Sequence, residues 1–253
     1  MKEFLIALQF LTIIPVGSKS AIDKSKLSLA VVYFPIVGLF LGLILAAGNK
    51  LLSFIPMEGL LANTILVILL IVLTGGLHLD GLADTFDAFL SRKDKSEMLR
   101  IMRDSHIGAM GVLSLICIIL LKLSLLCCLT PGDINVSLIL MCLLGRYSLV
   151  LAIFLFPYAR EEGKAKVFIE GKNWKSFSLA TVISLLCALI LSGLTGLIVF
   201  MLVALFAAIA GKFITKQIGG MTGDTLGAIN ELSEVFVLLS MLILSRSCAF
   251  CIW

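Results

Sequence analysis

The sequence predicts an all-α fold: a polytopic integral membrane helical bundle of about six to seven transmembrane helices with an N-terminal interfacial helix. Three observations carry that expectation. Hydrophobic residues make up 60% of the 253-residue chain and charged residues 14%, and mean hydropathy is +1.14, outside the range of soluble domains. Apolar runs fall at residues 28–47, 59–77, 108–130, 136–157, 177–192, 197–214 and 235–252, each near the length a bilayer requires. Basic residues collect between alternate runs. The net charge of +4 is too mild to indicate a nucleic-acid partner.

Taken in order, residues 1–16 come first. Lys2 and an apolar centre suggest a signal peptide, but Glu3 and Gln9 interrupt it. Pro15-Val16-Gly17-Ser18 also offers no small-x-small cleavage site. An amphipathic helix on the cytoplasmic face fits better. Lys19, Lys24 and Lys26 precede the first span; Arg92, Lys93, Lys95, Arg100 and Arg103 follow the second. Arg160, Lys164, Lys166, Lys172 and Lys175 follow the fourth, and Lys212 and Lys216 the sixth. The opposite loops carry only Lys50. The positive-inside rule therefore makes the long loops cytoplasmic in the cell (inner) membrane, and every polar motif lies on that side. Trp253 then falls at the outer interface. Gly193 and Gly196 make the fifth turn tight, so 177–214 reads as a helical hairpin. No linker, low-complexity tract or repeat divides the chain, and 1–253 reads as one catalytic domain. Cys117, Cys127, Cys128, Cys142 and Cys187 lie inside apolar runs, with no disulfide framework. Cys248 and Cys251 form a CxxC without a second pair, a weak metal or redox signal.

The most informative stretch is Thr74–Asp87. Asp80, Asp84 and Asp87 stand at i, i+4 and i+7, one face of a helix. Carboxylates so stacked repel one another. Acids at a helix start complement the macrodipole, which accounts for one or two of them but not for a third a turn later. A divalent cation with bound phosphate offsets all three.

Three further constellations follow. Arg103-Asp104-Ser105-His106 supplies a cation, a carboxylate, a hydroxyl and an imidazole before Gly108 and Gly111. Asp104 and Ser105 could simply cap the next helix, or Asp104 could serve catalysis or hold metal; His106 beside it could bind phosphate or act as general base. Gly219-Gly220-Met221-Thr222-Gly223-Asp224, continuing through Gly227 to Glu231 and Glu234, breaks an apolar region with glycines. These let backbone amides approach an anion, or let helices cross closely. Asp224 and Glu231 share a face that packing alone does not explain. Arg146 lies mid-span and should meet an acid or a phosphate; Arg160, in Tyr158-Ala159-Arg160-Glu161-Glu162-Gly163, has the fork geometry for phosphate. Lys122 and Arg246 are assigned no role beyond snorkelling or pairing. Carboxylates on two distant helices, arginines and a glycine-lined pocket together suggest phosphoryl transfer with Mg²⁺.

The run Gly75–Asp87, Met102-Arg103-Asp104-Ser105-His106-Ile107-Gly108, Tyr158–Gly163 and Gly219–Asp224 resemble the motifs of the adenosylcobinamide-GDP ribazoletransferase (cobalamin synthase) family. With Thr12-Ile13-Ile14-Pro15-Val16, the resemblance covers essentially the whole chain. Ala88 stands where that pattern has glycine, and His106 where arginine is frequent. The resemblance implies transfer of α-ribazole, or its 5′-phosphate, onto adenosylcobinamide-GDP with loss of GMP, the last step of cobamide assembly, assisted by Mg²⁺. It places metal at Asp80, Asp84, Asp87 and Asp224 with Glu231 in support. Catalytic duty falls to Asp84, Asp104 and His106. Arg103, Arg160, Arg146, His78, Gly220, Thr222 and Gly223 are the substrate-binding candidates. The partners implied are the two substrates and membrane lipid, and the resemblance also admits self-association or contact with other cobamide-assembly enzymes. A membrane CDP-alcohol phosphotransferase is the nearest alternative, since it too sets aspartates on facing helices. A secondary transporter is a further alternative, but one usually built from repeats.

Overall fold

The computed structural model describes residues 2–15, 28–163 and 165–250, with side chains to residue 245, and its regular elements are all helical. Expectations placed on Val16, Gly17, Ser18, Lys19, Lys24, Lys26, Lys164, Arg246, Cys248, Cys251 and Trp253 lie outside the described residues or side chains. The helices are α1 (Lys2–Leu11), α2 (Phe34–Leu52), α3 (Gly59–Thr74), α4 (Leu77–Leu90), α5 (Lys95–Ile101), α6 (Ala109–Cys128), α7 (Ile134–Leu155), α8 (Lys166–Glu170), α9 (Trp174–Ile218) and α10 (Gly223–Phe250). A 3₁₀ turn, Val31–Tyr33, leads into α2. Among the described residues, five helices are long and apolar enough to cross a membrane, six if the bent α3–α4 pair counts as one span.

The centre is α7: 89% of its apolar window is buried, against 22% for α9, whose sides are left to lipid. Gly38 and Gly42 let α2 lie directly on α7; a Cβ at Gly42 would come within 2.6 Å of the Ile139 Cα. Close backbone approach over small residues is how helices gain dispersion contact where lipid competes for every apolar surface.

Two breaks set the shape. α3 stops at Thr74 because Gly75 and Gly76 adopt φ of +62° and +68°, a left-handed conformation that glycine enters freely. The chain then turns 89° into α4, so the second apolar run, expected to continue to 77, ends three residues early. The second break lies in α9. Its 45 residues would reach about 67 Å if straight, twice the hydrocarbon core. Ser192 and Gly193 leave helical geometry and the helix doubles back. The Tyr147 hydroxyl donates to Thr181 Oγ1 at 3.3 Å while its ring stacks 4.9 Å from Phe200; a straight helix would hold those partners about 28 Å apart. The expected hairpin over 177–214 is therefore present.

The N-terminal helix packs one face on the bundle. Ala7, Leu8 and Leu11 are buried, and the Phe10 ring sits 5.9 Å from Phe34 and 4.7 Å from Phe168. Aromatic packing draws α1 against the bundle, where it helps wall the cavity described below.

Candidate active site

The first and third motifs meet where α4 crosses the start of α10. A Cβ at Gly81 would lie 2.7 Å from the Asp224 carbonyl oxygen, and one at Gly227 would lie 3.0 Å from that of His78. The two backbones therefore touch, and the Asp80–Asp84 face meets Asp224 in the first turn of α10. Gly81 and Gly227 serve this close crossing, the packing role that sequence alone left open for Gly227.

The fourth motif reaches the same point through a short parallel bridge. Met221 N–H donates to the Pro157 carbonyl at 2.8 Å, and Ala159 N–H to the Met221 carbonyl at 2.9 Å. Arg160 follows and donates from Nη2 to Asp224 Oδ2 at 2.7 Å. Asp84 lies within electrostatic range of Asp80, Asp224 and Asp87, with Arg160 as the opposing cation. Beside this cluster is a cavity of about 310 Å³ whose lining includes Asp80, Arg160, Asp224 and His78 together with Phe10 and Phe168. Thr222 has a structural duty: it is fully buried and its hydroxyl accepts from Thr225 N–H at 3.1 Å, capping α10. Gly220 is buried against Pro157 and Tyr158, whereas Gly223 lines the cavity.

Asp87 has a different role from the one expected. Its carboxylate accepts from Gly108 N–H and Gly111 N–H, each at 2.7 Å, so α4 caps α6 from outside. Neither Asp104 nor Ser105 does so; the N-cap position is Gly108, which has no side chain to offer. Two amides and the helix N-terminus answer the Asp87 charge, and glycines are required because a Cβ at either Gly108 or Gly111 would strike that carboxylate. The contact pins the second motif to the first. Asp87→Ala should cost about 1–2 kcal/mol of stability and speed amide exchange across 102–111. Unchanged exchange there would mean the tether is idle.

On the pinned loop, Asp104 Oδ1 and His106 Nδ1 lie 2.7 Å apart, and His106 N–H donates to the same oxygen at 3.1 Å. These bonds hold the Asp104 carboxyl below its ordinary range. Arg103, Asp104 and His106 are all exposed, open to a substrate from the aqueous side.

Arg146 and Glu231 belong to another cluster, inside the bundle. Arg146 Nη1 is ion-paired with Glu234, and Lys122 Nζ reaches Glu231 Oε2 at 2.6 Å and also pairs with Glu234. Asn230 Nδ2 donates to Glu234 Oε1 at 3.0 Å, and Gly145 leaves room for the Glu234 side chain. Arg146 therefore meets an acid, one of the two partners expected, and is sealed from substrate at 0% exposure. Glu231, two turns beyond Asp224 and about 10 Å along the helix, supports Lys122 instead of the aspartates. Two cations and two anions balance, as burial without water demands. Lys122, expected only to snorkel or pair, does pair here, and Glu234, noted without a role, is its second partner. The legible signal was a lone lysine in an apolar run and a Glu-x-x-Glu pair in another.

The five acids expected at one metal thus separate: Asp80, Asp84 and Asp224 gather at the crossing, Asp87 caps α6 and Glu231 pairs with Lys122. Among the described residues no three His, Cys, Asp or Glu side chains converge as a finished metal cage. Magnesium does not require one, since it is commonly held by one or two carboxylates together with substrate phosphates.

A family model described as cobalamin-5-phosphate synthase matches residues 3–242. The adenosylcobinamide-GDP ribazoletransferase of Thermoanaerobacter sp. (strain X514) is 36% identical over 94% of this chain and 96% of its own. That of Roseiflexus sp. (strain RS-1) is 39% identical over 93% and 87%, and that of Fusobacterium nucleatum subsp. nucleatum 37% identical over 96% and 98%. No solved structure matches.

Proposed function

From the premise that the chain belongs to the cobalamin-5-phosphate synthase family, we propose that its α4–α10 crossing joins α-ribazole, or its 5′-phosphate, to adenosylcobinamide-GDP and releases GMP. It is a multi-pass membrane transferase of cobalamin biosynthesis. The reading places the site on the cytoplasmic face of the cell membrane, supported by Arg92, Lys93, Lys95, Arg100 and Arg103 in the loop beside it. The observation that carries the mechanism is the meeting of Asp80 and Asp84 with the Asp224–Arg160 pair.

The donor set fits Mg²⁺. Asp80, Asp84 and Asp224 offer hard carboxylate oxygens, and the Arg160 Nε is buried without a hydrogen-bond partner, a donor left for a phosphate oxygen. Bound Mg²⁺ supplies charge neutralisation on the phosphoryl oxygens. Arg160, held by Asp224, directs its guanidinium at the same oxygens, and Arg103 adds positive charge from the loop. Asp104 orients His106, whose Nε2 takes the proton from the ribose hydroxyl as that oxygen attacks the corrinoid-linked phosphorus. The bond from that phosphorus to the bridging oxygen breaks, and GMP leaves with the electron pair.

Purified protein in liposomes, given both substrates, should release GMP and form the cobamide in equal amounts. EDTA should stop both, and added Mg²⁺ should restore them. Undiminished turnover in EDTA would remove the metal from this reading; no GMP from folded protein would remove the reaction.

A further inference from the structure

The cavity beside the aspartates has a lining of two chemical kinds. One is polar: Asp80, Asp224 and Arg160. The other is aromatic: Phe10, Phe34 and Phe168 all line it, with Phe34 and Phe168 centred 5.5 Å apart in an edge arrangement. His78 also lines it, 4% exposed, and its Nδ1 is buried without a hydrogen-bond partner. Arg160, another lining residue, likewise has a buried and unpartnered Nε. A buried polar atom without a partner costs about 1–3 kcal/mol. Both residues line the cavity, so each is a candidate donor to a ligand held there.

Together they specify the ligand's chemistry: an anion or hydroxyl-bearing sugar at the arginine, and a flat aromatic group against the phenylalanines. That group must be weakly polar, with one ring nitrogen for His78. Resting on the reading above, the geometry points to this cavity as the subsite for the acceptor nucleoside, with its benzimidazole-type base stacked among Phe10, Phe34 and Phe168 and one ring nitrogen accepting from His78 Nδ1–H. The guanine of the donor suits it poorly. Guanine carries acceptors at N7 and O6 and a donor at N2, each costly to bury unpaired, and the inner wall answers with rings and one imidazole nitrogen. Size agrees. At about 310 Å³ the cavity is at the small end of ligand pockets, enough for a bicyclic base with its sugar and too small for a corrinoid-linked nucleoside diphosphate. The base then lies on the α1 side and the ribose points at the aspartates, where its hydroxyl is needed.

The test uses the full chain in detergent, with equilibrium dialysis of α-ribazole and of GMP against wild type, His78→Leu, His78→Gln and Phe168→Leu. Removing a stacking or hydrogen-bonding partner of a base should raise the ribazole Kd by about tenfold or more in His78→Leu and Phe168→Leu. His78→Gln, which retains a donor, should recover part of that loss, while GMP affinity moves by less than about twofold in all three. In turnover the same variants should raise KM for ribazole and keep kcat at saturation. Should either variant fail to fold, free benzimidazole on the wild-type chain decides: it should displace ribazole and leave GMP bound. Weakened GMP binding with intact ribazole binding would assign the cavity to guanine and overturn the proposal. Turnover with unchanged ribazole KM in folded variants would also overturn it while leaving the reaction standing. Ribazole bound at this cavity with no product formed would instead remove the reaction and leave the subsite.

Discussion

Asp84→Asn should lower turnover by about 10³-fold, close to 4 kcal/mol in the barrier, while the protein remains at least as stable as wild type. The two halves of that expectation come from the same feature. Asp87 spends its oxygens on Gly108 and Gly111, and Asp224 is held by Arg160. Asp84 makes no such bond among the described residues and sits amid Asp80, Asp87 and Asp224. A half-buried carboxylate surrounded by like charge and left unpaired destabilises the fold, so neutralising it should leave stability unchanged or raise it by a few tenths of a kcal/mol. The same isosteric change removes the negative charge that a hard cation requires. A site that trades stability for function should respond in this way. The measurement pairs GMP release with thermal unfolding in detergent. Wild-type turnover in Asp84→Asn would refute the role of Asp84; lost turnover with lost stability would make that role structural.

Much of the architecture was legible because membrane physics leaves a coarse signature. Length of apolar run, loop charge and the Gly193–Gly196 turn gave the spans and the hairpin. The partners of individual charges were less accessible. Asp80, Asp84 and Asp87 share a helical face, and spacing treats them alike. Only the tertiary position of the α6 N-terminus, a distant segment, separates Asp87 from the other two. Similarly, Glu231 follows Asp224 on one face, but α6 and α7 bring Lys122 and Arg146 against its far end. Periodicity reports which residues share a side and not what lies opposite. The bend at Gly75–Gly76 was hidden because the apolar run continues through Leu77 although the backbone has already turned. The α1 contact depends on Phe10 meeting Phe34 and Phe168, three aromatics far apart in sequence.

The buried ion network should dominate stability. Lys122→Met is expected to cost about 3–5 kcal/mol, the range for removing one partner of a buried pair. Lys122 faces both Glu231 and Glu234, so its loss leaves two acids answered by Arg146 alone, in surroundings where water cannot compensate. The cost therefore arises from the stranded charge more than from lost attraction. That distinction is testable, because removing the stranded charge as well should reverse most of the damage. The double variant Lys122→Met/Glu231→Gln restores one cation against one anion, Arg146 with Glu234, and should regain more than half of the lost stability. Thermal unfolding of the single and double variants in one detergent measures the coupling directly. Additive losses would show that Lys122 contributes by packing its stem, whereas recovery would establish charge balance as the reason these four residues lie together inside the bundle. The same comparison bears on the active site. His78 stands within electrostatic range of Lys122, Arg146 and Glu234 while lining the cavity. An unbalanced network would thus weaken ribazole binding in the single variant, and the double variant should restore it along with the fold.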